Sequence, residues 1–76
     1  MKSLDRVNLS QVVGGRYRCM ELTSQGDDSL RLRRFGICPD RPLELLEIGD
    51  PLIVRSGATK IGLSRRLAES VIVVAQ

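Results

Sequence analysis

Residues 42–63 read PLELLEIGDPLIVRSGATKIGL, and the punctuation of this stretch decides the fold. Three apolar-rich runs, 42–48, 52–56 and 60–63, are separated by Gly49-Asp50-Pro51 and Gly57-Ala58-Thr59. Both separators are turn chemistry: glycine supplies backbone freedom, an aspartate side chain can bond its own backbone, and proline presets φ. Leu52, Val54, Ile61 and Leu63 recur at alternate positions, which gives the runs an apolar face and a second, more polar one. The stretch therefore reads as consecutive strands joined by tight turns. Asp50 is expected to hold the first turn through its side chain.

Upstream, Pro39 and Pro42 bracket a turn ahead of the first of these strands. Before it, residues 29–35 (SLRLRRF) read as a helix of about two turns. Leu32 and Phe35 share one face of it, and Arg31 and Arg34 share another. The oxygen of Asp27 or Asp28 is expected to cap this helix, and Gly36 stands where a left-handed stop residue belongs. The acidic start and basic end suit the helix dipole. Residues 16–22 (RYRCMEL) form an earlier strand in which Arg16 and Arg18 alternate with Tyr17 and Cys19. Met20 and Leu22 break that parity, so a bulge is expected after Cys19. Residues 4–13 are a lead-in ending at Gly14-Gly15. Downstream, Ser64 is expected to cap a single helical turn over 65–69, and residues 71–74, with Val71 and Val73 alternating, close the chain as a fifth strand.

Five short strands with tight turns and two brief helical pieces point to a mainly β architecture, a small closed or nearly closed barrel, because closure removes exposed strand edges. No repeat, linker or low-complexity tract divides the chain, so residues 1–76 are expected to be one domain. A domain of 76 residues buries only roughly 60% of the surface its unfolded chain exposes, and its core is correspondingly thin. With one Tyr, one Phe and no Trp, that core must be aliphatic. A composition of 42% hydrophobic and 28% charged residues excludes a disordered chain.

The net charge is +3, and arginine dominates the basic residues. Guanidinium forks match carboxylate and phosphate better than ammonium does, so an acidic protein patch, an anionic membrane surface or nucleic acid are all conceivable partners at this level. The two cysteines, Cys19 and Cys38, form no CxxC, and there is no histidine. The opening residues carry charges and no apolar run, and the longest apolar stretch, 71–75, is far short of the ~20 residues a membrane helix needs. A soluble, cytoplasmic protein with reduced thiols is expected. Without histidine, a nucleophile elbow or a phosphate-binding Walker loop, an enzyme is not expected.

Three segments carry a resemblance. Leu32-Arg33-Arg34-Phe35-Gly36-Ile37-Cys38-Pro39-Asp40 is similar to a basic-apolar helix running into Leu-Gly-hydrophobic-x-Pro-Gly; Gly49-Asp50-Pro51-Leu52-Ile53-Val54 is similar to a Gly-Asp-Pro hairpin; and residues 61–73 (IGLSRRLAESVIV) are similar to a strand, an Arg-bearing turn with an Ala, and a last apolar strand. In this order and spacing they resemble the FeoA family, the accessory component of bacterial ferrous-iron uptake, over nearly the whole chain. Gly36, Pro39, Gly49, Asp50, Pro51 and Leu63 are the signature positions. The resemblance implies an SH3-like barrel with one inserted short helix and a helical turn before the last strand. It also implies a role beside FeoB, the permease whose cytoplasmic part binds guanine nucleotide, with association to the inner membrane only through that partner. Similar domains occur at the C-terminus of DtxR-type metal-dependent repressors. Two positions depart from the family pattern: Asp40 stands where glycine is usual, and Arg33 where a second leucine is common.

The candidate docking residues are Arg31, Arg33 and Arg34 on the helix, with Arg65 and Arg66 in the later turn, read as one positive patch for an acidic protein surface. The alternative is a nucleic-acid-binding or repressor-related module using the same arginines. Stacking platforms need aromatics, and Tyr17 and Phe35 are the only ones, so nucleic acid is not the expected partner. No metal site or cofactor is expected. Cys19 and Cys38 lack the close spacing or further ligands of a thiolate site and read as buried small hydrophobes, and helix capping accounts for Asp27-Asp28 without a ligand.

Overall fold

The computed structural model describes residues 6–76, so Leu4 and Asp5 at the start of the lead-in, and the opening charges at Lys2 and Asp5, lie outside the described residues. The chain runs through β1 (Val7–Asn8), a 3-10 turn (Leu9–Gln11), β2 (Gly15–Leu22), α1 (Asp27–Arg34), β3 (Pro42–Glu47), β4 (Leu52–Ser56), β5 (Thr59–Leu63), α2 (Arg65–Ala68) and β6 (Val71–Ala75). The strands form one antiparallel sheet in the order β1-β6-β2-β3-β4-β5. The three strands read from residues 42–63 are adjacent in it, as tight turns require. The sixth strand, β1, was not expected: it is two residues long and pairs Val7 with Val73 and Asn8 with Ile72. Two residues carry no periodicity, and only the partner strand makes them a strand. Among the described residues the ladder is linear rather than closed, with β1 and β5 as short edges.

The expected bulge is present. The β2–β6 register shifts between Cys19 and Glu21, so Cys19 turns fully into the core while Met20 is half-buried. A second shift between Leu45 and Glu47 ends the regular pairing of β3 with β4, and Ile48 lies beyond the strand, exposed. The core is aliphatic. Leu9, Leu32, Ile37, Leu52, Leu63, Val71 and Val73 are fully buried or nearly so, and Val54 joins them. Burial of each leucine or isoleucine contributes about 1.5–3 kcal/mol. Phe35, Tyr17 and Ile61 are half-buried and pack against this cluster.

Helix α1 starts two residues earlier than the sequence pattern suggested, and its N-cap is Gly26, with no side-chain capping bond. Neither Asp27 nor Asp28 caps it. Both sit inside the first turn, where their charge still complements the unpaired amides. The other end is as expected. Gly36 takes φ 87°, its N–H donates to the Arg33 carbonyl at 3.0 Å, and the Ile37 N–H donates to the Leu32 carbonyl at 2.9 Å. This is the Schellman arrangement, sealed by two buried side chains, Leu32 and Ile37. A Cβ on Gly36 would also lie 3.0 Å from Ser56 Oγ, the hydroxyl that donates to the Gly36 carbonyl at 3.0 Å.

The chain then turns at residues 38–41. The Arg41 N–H donates to the Cys38 carbonyl at 3.2 Å, with Pro39 second and Asp40 third, the latter at φ 73°. This is a type II turn, and Asp40 does carry the left-handed conformation that glycine would take without strain. The turn is clamped to β2 by the Asp40 N–H on the Cys19 carbonyl, 2.8 Å, and the Cys19 N–H on the Arg41 carbonyl, 2.9 Å.

Asp50 corrects another expectation. Its Oδ1 does not hold its own turn but accepts the Arg65 backbone N–H at 3.1 Å, joining the β3–β4 connection, Gly49-Asp50-Pro51, to the start of α2. The Asp50–Pro51 peptide is cis. Ser64 caps α2 as expected, its Oγ accepting the Leu67 N–H at 3.1 Å, and the helix ends at Ala68 with Glu69 as C-cap.

Candidate functional site

The helical spacing of α1 divides its residues cleanly. Leu32 points into the core and Phe35, just past the end, packs against it, while Arg31, Arg33 and Arg34 are exposed. Among the described residues none of these three arginines is in an ion pair. Arg33, which stands where the family pattern has a leucine, extends the basic surface and leaves the packing untouched. Leu30, 55% exposed, sits among them within one helical turn of Arg31, Arg33 and Arg34. The sequence reading passed over Leu30, although its offset from Leu32 places it on the outer side of a two-turn helix.

The later arginines divide differently. Arg66 reaches the beginning of α1, its Nη1 3.2 Å from Asp28 Oδ2, and so ties α2 to α1 across an exposed pair. Arg65 is half-buried, and its Nη2 donates to the Ser10 carbonyl at 2.7 Å, holding the 3-10 turn against α2. The five candidates therefore do not make one uniform patch. Arg31, Arg33 and Arg34 are presented on α1, Arg66 is engaged beside its first turn, and Arg65 is turned into the fold.

Cys19 is fully buried, and burial, followed by the charge of neighbouring Cys38, pushes its thiol up to about 11. It is therefore protonated at neutral pH and packs as a small hydrophobe. Cys38 is only half-buried, less enclosed than expected. Among the described residues no group of three or more His, Cys, Asp or Glu is arranged to hold a metal ion, and no helix is long and apolar enough to cross a membrane. The signature positions are structural. Gly36, Pro39, Gly49, Asp50 and Pro51 build the turns described above, and Leu63 is in the core. An open cleft of about 380 Å³ lies where Thr23 and Ser24 face α2, and the Ser24 hydroxyl is buried there without a partner among the described residues.

A FeoA domain model matches residues 7–75. No match was found among curated protein sequences. Among solved structures, the crystal structure of an iron uptake regulatory protein (FeoA) is similar with a TM-score of 0.84 and 24% identity, covering 92% of this chain and 96% of that one. The solution structure of iron(II) transport protein A from Clostridium thermocellum is similar with a TM-score of 0.85 and 26% identity, covering 91% of this chain and 45% of that one. The crystal structure of T. acidophilum IdeR is similar with a TM-score of 0.86 and 17% identity, covering all of this chain but 37% of that one. The fold is the SH3-like one shared by FeoA domains and DtxR-type repressors.

Proposed function

This chain belongs to the FeoA family, associated with ferrous-iron transport, and on that premise we propose that it is a cytoplasmic accessory protein that docks through α1 on the cytoplasmic part of a FeoB-type permease. The observation that carries the reading is the outer face of α1, where three exposed arginines without ion pairs among the described residues surround exposed Leu30. Guanidinium forks pair with carboxylates in two-point geometry, and arginine is among the residues enriched at interface hot spots, while exposed Leu30 adds apolar area to be buried. The face is held rigid before any partner arrives, by buried Leu32 on its inner side and by the Schellman end at Gly36. Less ordering entropy is then lost on binding. Positive charge at the carboxyl end of the helix also speeds encounter with an acidic surface. In this scheme Arg65 and Arg66 support the surface, Arg65 by fixing the 3-10 turn and Arg66 by bracing the start of α1. The role is binding and modulation, not catalysis, and the chain reaches the inner membrane only through the permease.

Calorimetric titration of the chain into the cytoplasmic part of the FeoB-type permease from the same genome tests this. The double reversal Arg31→Glu/Arg34→Glu is expected to weaken binding at least about tenfold, a loss of about 1.4 kcal/mol or more, with the fold retained and the melting temperature lowered only by the few degrees that acidic side chains at the carboxyl end of a helix cost. Absence of wild-type binding, or equal binding by the reversed variant, would refute the docking surface.

A further inference from the structure

Strand register places a second basic feature on the sheet rather than on the helix. Arg16 on β2 lies opposite Glu44 on β3, Glu44 opposite Arg55 on β4, and Arg55 opposite Lys60 on β5. Directly opposed residues in antiparallel strands project to the same face. That face is the outer one, because the alternate positions Leu43, Leu45 and Val54 are buried. The result is a row of three cations with one carboxylate among them, running across four adjacent strands. Neighbouring strands are ~4.8 Å apart, so the row spans roughly 14 Å.

The row does not lie on a flat surface. Arg16, Glu44 and Arg55 line an open cleft of about 480 Å³ together with Pro42, Gly57 and Gln76. Glu44 Oε1 lies 3.3 Å from Arg55 Nη1, which holds Arg55 over the cleft, while Arg16 is in no ion pair among the described residues. We propose that this cleft and row recognise an acidic peptide segment in extended form, with one carboxylate side chain meeting Arg16 on one side of Glu44 and a later one meeting Arg55 and Lys60 on the other. The site is distinct from the α1 arginines and does not depend on the reading given to them.

Two features select a peptide. Alternate side chains of an extended chain lie ~6.6 Å apart on one face, so four or five residues match the length of the row. The exposed Pro42 ring, which has the parity of Glu44, offers an apolar contact to the methylene stem of a glutamate beneath its charged head. Nucleic acid is disfavoured because no aromatic lies on this face: Tyr17 has the parity of Cys19 and its hydroxyl donates to the Val13 carbonyl at 2.8 Å, and Phe35 packs against the core.

The test is a titration of the isotope-labelled chain with hexaglutamate, followed by amide NMR, beside parallel titrations with hexathymidylate and with phosphatidylserine vesicles. Hexaglutamate is expected to shift the amides of Arg16, Leu43, Glu44, Arg55 and Gly57. Arg16→Glu/Arg55→Glu should weaken it at least about tenfold, and Glu44→Gln, which removes the one opposing charge, should tighten it about two- to fivefold. Arg31→Glu/Arg34→Glu should leave it unchanged, which separates this site from the permease-docking surface. Shifts confined to α1, weaker binding by Glu44→Gln, or tighter binding of the oligonucleotide or the vesicles at the same salt would overturn the proposal.

Discussion

Cys19 shows what burial does to a single group. Its side chain is fully enclosed, its backbone is bonded on both sides to the 38–41 turn, and its thiol is pushed from 9.0 up to about 11, chiefly by loss of water and then by the charge of Cys38. The unfolded chain ionises this thiol more readily than the folded one. The stability it contributes is therefore present below pH 9 and is lost as pH rises through the window between 9 and about 11. The melting temperature of the wild type should fall more steeply across that window than that of Cys19→Ala, although the alanine variant starts lower because of its cavity. Parallel slopes for the two proteins would show that the thiol does not stay neutral in the fold. At the same scale, the sequence made Cys19 legible as an inward residue by alternation, but not the half-exposure of Cys38, which depends on how the turn lies against β2.

At the scale of elements, turn chemistry located the connections from β2 onward, yet not every bond that stabilises them. Gly49-Asp50-Pro51 is a turn, as read, but the Asp50 carboxylate serves α2 instead, accepting the Arg65 N–H. This contact crosses from one hairpin to the helix that follows the next strand, a distance in sequence that local pattern cannot span. Asp50→Ala should cost about 1 kcal/mol in chemical denaturation, the usual net worth of such a bond, while Asp50→Asn, which keeps the acceptor oxygen, should recover most of it. If both variants were as stable as wild type, the contact would contribute nothing in solution. The helix start teaches the same lesson. Two aspartates before an apolar run suggested a cap, but Gly26 at φ 65° takes that place and the aspartates move into the first turn. One of them, Asp28, is then free to meet Arg66, a partner thirty-eight positions away in the chain.

At the scale of the whole molecule, one aliphatic core serves both helices and most of the strands. Leu9 from the 3-10 turn, Leu32 from α1, Leu67 from α2 and Val71 and Val73 of β6 belong to the same cluster. No element has a private core to retain if the others melt. Unfolding should therefore be a single cooperative transition in which Tyr17 fluorescence and far-ultraviolet circular dichroism coincide, with a heat-capacity change of about 1 kcal/mol/K for a chain of this size. Separate midpoints for the two signals would mean that β2 and the helices unfold independently. Charge is organised at this scale too: the modest net charge of +3 conceals two basic surfaces, one on α1 and one across the sheet. Binding through either should weaken with salt, since both are exposed.

What the sequence by itself determined is local. Alternation, turn residues, the Ser64 cap, the glycine stop at Gly36 and the parity break after Cys19 each depend on residues within a few positions of one another, and each is present in the fold. The family motifs extended this reading to the architecture. What only the tertiary structure decided is everything set by partners distant in the chain. Two-residue β1 is a strand because β6 lies beside it, Arg65 is structural because Ser10 reaches it, and Arg16, Glu44, Arg55 and Lys60 become one row because four strands come into register. The physical reason is the same throughout: periodicity records which way a side chain points, whereas which neighbour it meets is decided by packing the sheet and helices around a single core.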